Sequence, residues 1–142
     1  PDPFTLLLAG NGMGTFKDGM ARTFKPETRH WDLEAEENAP FALPKNQAVV
    51  LAFCPPSLKP GNHFGLSSAA LQALQELFSQ RDVYLCHFGN PYALGLLPLK
   101  AAKQVLIAYQ DLEAFQQQAV LFYSGKAGAP GTLPVSIKPI TL

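Results

Sequence analysis

Four short runs of almost purely apolar residues limit what this chain can fold into: Phe4–Ala9 (FTLLLA), Ala48–Phe53 (AVVLAF), Val83–Phe88 (VYLCHF) and Gln104–Tyr109 (QVLIAY). A strand with one wet face alternates apolar and polar residues, whereas these runs are apolar at successive positions, as strands covered on both faces are. Helical patterns separate them. Phe16, Met20 and Phe24 recur at helical spacing and Pro26 stops that helix. Ser67 or Ser68 can cap a helix whose inner face is Ala70, Leu71, Leu74, Leu77 and Phe78. Asp111 can cap another, with Leu112, Phe115, Ala119 and Phe122 inward and Gly125 at its end. Strand, helix, strand, helix at these lengths implies parallel pairing through right-handed crossovers. The expected fold is α/β, a three-layer α/β/α sandwich over a mostly parallel sheet of five or six strands. Its strand order is the flavodoxin-like 2-1-3-4-5, with the last strand at the edge and possible there in antiparallel pairing.

The weaker elements follow from their punctuation. Arg29–Leu33 is short and runs into Glu34, Glu36 and Glu37, which suits an edge strand and a solvated face. Asn38–Gln47, with Pro40 and Pro44, reads as a surface connection, and Cys54–Gly65 as a loop too irregular to hold an element. The fourth strand ends in His87–Leu94 (HFGNPYAL), where Asn90 suits a helix N-cap, Pro91 the first helical position and Gly95 the close of the turn. After the loop Lys126–Gly131, the segment Thr132–Ile137 contains Pro134, which confines it to an edge strand or bulge.

Length and charge exclude several functional classes. The 142 residues suit one domain, residues 1–142, and the 11 basic and 11 acidic side chains balance without forming a basic stripe. Nucleic acid is therefore not an expected partner, since phosphate binding rests on clustered Lys and Arg. No apolar run is long enough to span a bilayer, so no membrane partner is expected. Cys54 ends one strand and Cys86 lies mid-strand, about three residues or about 10 Å apart in height. That is too far for a bridge, and both read as buried free thiols. A chain that starts at Pro1 and enters a strand at once reads as part of a longer polypeptide.

Sheets of this kind bind ligands beyond the carboxyl ends of their strands, at the switch point between the first and third. Asn11, Gly12 and Met13 would line that crevice on one side and residues 55–63 on the other. The turn Gly10–Gly14 (GNGMG) has Asp32 or Glu34 about twenty residues on, where a ribose-binding acid falls, but Thr15 replaces the third glycine of a dinucleotide fingerprint. Turn geometry alone accounts for the glycines. His30, His63, His87, Cys54 and Cys86 are scattered without metal-ligand spacing, so no metal site is expected. His87 suits a packed imidazole. His63, on a proline-rich loop, suits a surface or binding role. No nucleophile elbow or carboxylate pair is present, so no catalytic residue and no cofactor are expected. The candidates for substrate binding are Asn11, His63, Asn90 and Tyr92.

Three segments, His87–Leu94 (HFGNPYAL), Val105–Asp111 (VLIAYQD) and Ala129–Ile137 (APGTLPVSI), together resemble the C-terminal α/β sandwich domain of family-three glycoside hydrolases, in particular the bacterial β-N-acetylhexosaminidase branch. In that family a strand ends in G-N-P-Y-x-L, a later one reads V-L-x-A-Y-x-D, and the domain closes with G-x-L-P-V. The resemblance covers residues 48–137 and, loosely, residues 4–33. It implies that the catalytic aspartate and the Asp-His acid/base pair belong to an N-terminal TIM-like barrel of the same polypeptide. That barrel would be this domain's partner and a glycan containing N-acetylglucosamine the substrate of a retaining hydrolase, periplasmic or associated with the cell envelope. This chain would be the non-catalytic domain that packs on the barrel and flanks its active site. In the β-glucosidase branch the second domain can supply an acid/base glutamate, for which Glu34, Glu36 and Glu37 are the residues left open. The alternative, from another class, is a free-standing nucleotide or small-molecule binder using the switch-point crevice.

Overall fold

The computed structural model of the chain describes residues 3–33, 47–56, 61–89, 91–108, 113–125 and 136–138. Six strands, β1 (Phe4–Ala9), β2 (Glu27–Trp31), β3 (Ala48–Phe53), β4 (Val83–Phe88), β5 (Ala102–Ala108) and β6 (Ser136–Lys138), form one sheet in the order β2-β1-β3-β4-β5-β6. The first five are parallel, and β6 adds antiparallel to β5, with Leu106 opposite Ile137. The expected order 2-1-3-4-5 with an antiparallel edge strand is the one observed. Three of the four apolar runs coincide with β1, β3 and β4. The fourth is β5, which starts two residues before the expected Gln104.

Helices cover both faces because successive residues of each strand point to opposite sides. Leu7, Ala9, Val49, Leu51, Phe53, Val83, Leu85, Val105 and Ile107 pack on one side under α3 (Ser68–Gln80). A helix of one turn, α2 (Gly61–Phe64), and the 3-10 turn Pro91–Leu96 complete that cover. Leu6, Leu8, Val50, Ala52, Cys86, Phe88, Leu106 and Ala108 pack on the other side under α1 (Gly14–Phe24) and α4 (Glu113–Tyr123). In α3, Ser67 is the cap, its Oγ accepting from the Ala70 N–H at 3.0 Å, and Ala70, Leu74 and Phe78 are buried. Lys25 ends α1 in a left-handed conformation at φ 52°, just before Pro26 removes the next donor.

Several sequence expectations need correction. The loop expected over Cys54–Gly65 contains α2, which leaves through two residues at positive φ, His63 and Phe64. The edge strand begins two residues before the expected Arg29, because the chain is extended as soon as it leaves Pro26. The turn after β4 is a 3-10 helix that runs through Gly95 to Leu96, so that glycine does not close it. Cys86 pairs in register with Ala52, two residues from Cys54 in height instead of three, and both thiols are free. The expected inner face of α4 does meet the core, Ala119 buried in it and Phe115 and Phe122 packed against it, and Gln116 joins that face. Gln116 and Ala119 are its buried residues, while Phe115 and Phe122 are only half-buried. The proposed cap Asp111, Leu112, the acidic residues Glu34, Glu36 and Glu37, the connection prolines Pro40 and Pro44, and Pro134 lie outside the described residues.

Candidate functional site: the carboxyl ends of β1 to β4

At the switch point, β1 and β3 leave the sheet side by side. The Cys54 N–H donates to the Ala9 carbonyl at 2.9 Å, and the Gly10 N–H donates to the Trp31 carbonyl at 3.0 Å. The backbones converge so closely that a Cβ on Gly10 would lie 2.1 Å from the Cys54 carbonyl oxygen, and Gly10 sits at φ 120°. Glycine is required here by both contact and conformation. Its presence is explained by the meeting of two strand ends, without any appeal to a bound phosphate.

Beyond this meeting point lies a cavity of about 230 Å³. Gly10, Asn11 and Gly12 form one wall, Asp32 and Leu33 another, and Cys54, Pro55 and Pro56 the third. The crevice thus forms where the topology places it, from both expected segments, with Asp32 added at the exit of β2. Met13 is a correction, since its side chain is buried in the core under α1 instead of lining the crevice. His30, beside the same turn, donates from Nε2 to the Gly10 carbonyl at 3.0 Å, because a carbonyl can only accept.

The N-terminus of α1 opens toward this turn, and one of its first-turn donors, the Phe16 N–H, is engaged from within. Met13 occupies the cap position and has no side-chain oxygen to offer. In its place Gln116, reaching from α4 and only 3% exposed, accepts from the Phe16 N–H through Oε1 at 2.8 Å. Its Nε2 donates to the Gly12 carbonyl at 2.7 Å. One buried carboxamide therefore satisfies a helix donor and a turn acceptor across 104 residues of sequence. A Gly-rich turn leading into a helix invites an anion. Here a neutral side chain of the same molecule takes up one of the donors such an anion would use.

The remaining candidates fall in a second group. His63, in α2, is exposed and does not line the switch-point cavity. Tyr92, in the 3-10 turn that packs against α2, is 83% exposed, while the neighbouring Ala93 and Leu94 are buried. Asn90 lies outside the described residues. The structure therefore separates Asn11, in the cavity, from His63 and Tyr92, on the adjoining α2 and 3-10 turn. Sequence reading missed Gln116, whose signal was indirect: a helix start lacking any residue able to cap it.

The buried polar groups elsewhere are packed rather than poised. His87 is fully buried, its ring 5.4 Å from that of Phe53. The Tyr123 hydroxyl is buried beside the Cys86 thiol and makes no well-formed hydrogen bond among the described residues. Burial pushes both groups above their ordinary pKa ranges, so both stay protonated and unreactive at neutral pH. Among the described residues no group of three His, Cys, Asp or Glu side chains could hold a metal ion. No helix among them is long and apolar enough to cross a membrane. A broader hollow of about 820 Å³ lies at the opposite, amino end of the sheet, lined by Gln47, Arg81, Asp82 and Lys103 among others. It is remote from the carboxyl ends where sheets of this kind place ligands. Comparison of the chain with protein-family models, with curated proteins and with solved structures finds no match.

Proposed function

We propose that this chain is the non-catalytic α/β sandwich domain of a retaining glycoside hydrolase of the family-three kind, acting on N-acetylglucosaminides, and that the catalytic barrel belongs to the same polypeptide. The observation that carries this reading is spatial. The three segments resembling that family reach adjacent strands: His87 and Phe88 of β4 pair with Ile107 and Ala108 of β5, and Leu106 and Ile107 pair with Ile137 and Ser136 of β6. Residues from all three segments thus meet on three neighbouring strands at one side of the sheet. Tyr92, held out from the turn after β4 while Ala93 and Leu94 anchor it, gives that half an exposed aromatic of the kind a neighbouring domain covers.

The chemistry of the carboxyl ends supports the companion role over the nucleotide-binding alternative. Nucleotide binding at a Gly-rich turn depends on free helix N–H groups, and here the Phe16 N–H is held by Gln116. The test is hydrolysis of an aryl N-acetyl-β-glucosaminide by this chain and by the full product of its gene. Turnover by the full product alone is expected. Turnover by the 142 residues alone, or by neither protein, would overturn the reading.

A further inference from the structure

Phe4, the first residue of β1, and Phe24, the last of α1, meet edge-to-face, with ring centroids 5.6 Å apart and planes at 70°. Both rings pack against the core yet are only half-buried. With Pro3, Pro26 and Gln47 they wall a cavity of about 320 Å³ at the amino end of the sheet, and Lys25 and Glu27 supply its charges. That volume lies within the roughly 300–1,000 Å³ of small-molecule sites. Lys25 holds its place at a conformational cost. It ends α1 at φ 52°, where a glycine would be unstrained. Its ammonium makes no ion pair or hydrogen bond among the described residues. Glu27 is paired with Arg29, and the Gln47 carboxamide accepts from the Thr5 hydroxyl at 3.2 Å, which leaves its NH₂ group as a donor.

We propose that this cavity binds a small aromatic carboxylate, with its ring against Phe4 and Phe24 and its carboxylate toward Lys25 and Gln47. A third ring extends a pair already set edge-to-face, and the two prolines add apolar surface. The charges select an acid. Arg22, in the last turn of α1, offsets the partial negative charge at that helix end, and Arg29 offsets Glu27. The Lys25 ammonium is therefore the charge left for a guest, and a carboxylate takes charge-assisted hydrogen bonds from it. A cationic amine of the same shape meets that ammonium with like charge. The inference does not rest on the companion-domain reading, and a binding result leaves the glycosidase assay free to succeed or fail.

The test is a titration of the chain with phenylacetate, its neutral amide phenylacetamide and the cation 2-phenylethylamine, followed by amide ¹H–¹⁵N spectra. The expected result is saturable shifts at Phe24, Lys25 and Gln47 with phenylacetate. Binding of the amide should be about fivefold weaker, as loss of one exposed charge contact implies, and binding of the amine weaker still. Lys25→Gly separates the role of the ammonium from that of the fold. Glycine relieves the left-handed cap, so thermal stability should hold or rise while phenylacetate binding falls about fivefold. Lys25→Arg keeps the charge and should keep the binding. The proposal is overturned if phenylacetate leaves these amides in place, if the amide or the amine binds as tightly, or if Lys25→Gly binds unchanged.

Discussion

The two faces of the sheet are covered in different ways. Under α3 the cover is apolar bulk. One helix inserts Ala70, Leu74 and Phe78, and the rest of the face is closed by α2 and the 3-10 turn Pro91–Leu96. Under α1 and α4 two helices lie side by side, and their mutual position is specified. A Cβ on Gly19 of α1 would lie 2.7 Å from a methyl of Val120 on α4, and Gln116 of α4 ties the first turn of α1. The lesson is that a single helix can settle on a sheet by burial alone. Two helices that must also meet each other use a glycine to approach and a polar bond to fix register.

Substitutions can break that contrast in order of expected size. Leu74→Ala removes a fully buried side chain from the face that depends on bulk. It should destabilise by about 2–5 kcal/mol, measured by urea unfolding. Gln116→Met keeps the volume but strands the Phe16 N–H and the Gly12 carbonyl. A loss of about 1–3 kcal/mol for each unsatisfied group is expected, with the Phe16 amide losing protection from hydrogen exchange. If the Phe16 amide stays protected in that variant, the tie is not what holds α1.

Smaller effects sharpen the comparison. Gly19→Ala adds a methyl against a stiff valine, an overpacking that should outweigh alanine's helix preference of about 1 kcal/mol. Gly95→Ala, on the other face, meets nothing within 4 Å and should change stability by less than about 0.5 kcal/mol. Equal effects at the two glycines would remove the distinction between the faces. Alkaline titration probes the α1 and α4 side, where Cys86 and Tyr123 are held protonated by burial. Because the folded state keeps protons that the unfolded chain releases, stability is constant below the ordinary thiol range. It should then fall as pH rises past about 9, by up to about 1.4 kcal/mol per pH unit for each group. Cys86→Ala should flatten the first part of that decline.

What was legible in the sequence follows from the same contrast. The runs FTLLLA, AVVLAF and VYLCHF declare themselves because a strand buried on both faces has no polar position to confuse the pattern. The strand order and the switch-point crevice follow from topology. Less visible was anything decided between elements. Gln116 sits in the run Gln116–Gln118 that reads as a polar face, and only the meeting of α4 with the turn before α1 gives it a buried role. Asp32 entered the sequence argument merely by its distance from the glycine turn, and the exit of β2 brings it to the cavity wall. The extra turn α2 was hidden because prolines and glycines mark a bend without stating whether it winds.

The most direct test of the companion-domain account is the intact mass of the protein as its own gene produces it. The account predicts a polypeptide well above the 15.4 kDa of this chain, longer by roughly the 250 residues of a barrel. A native product of 15.4 kDa would contradict it.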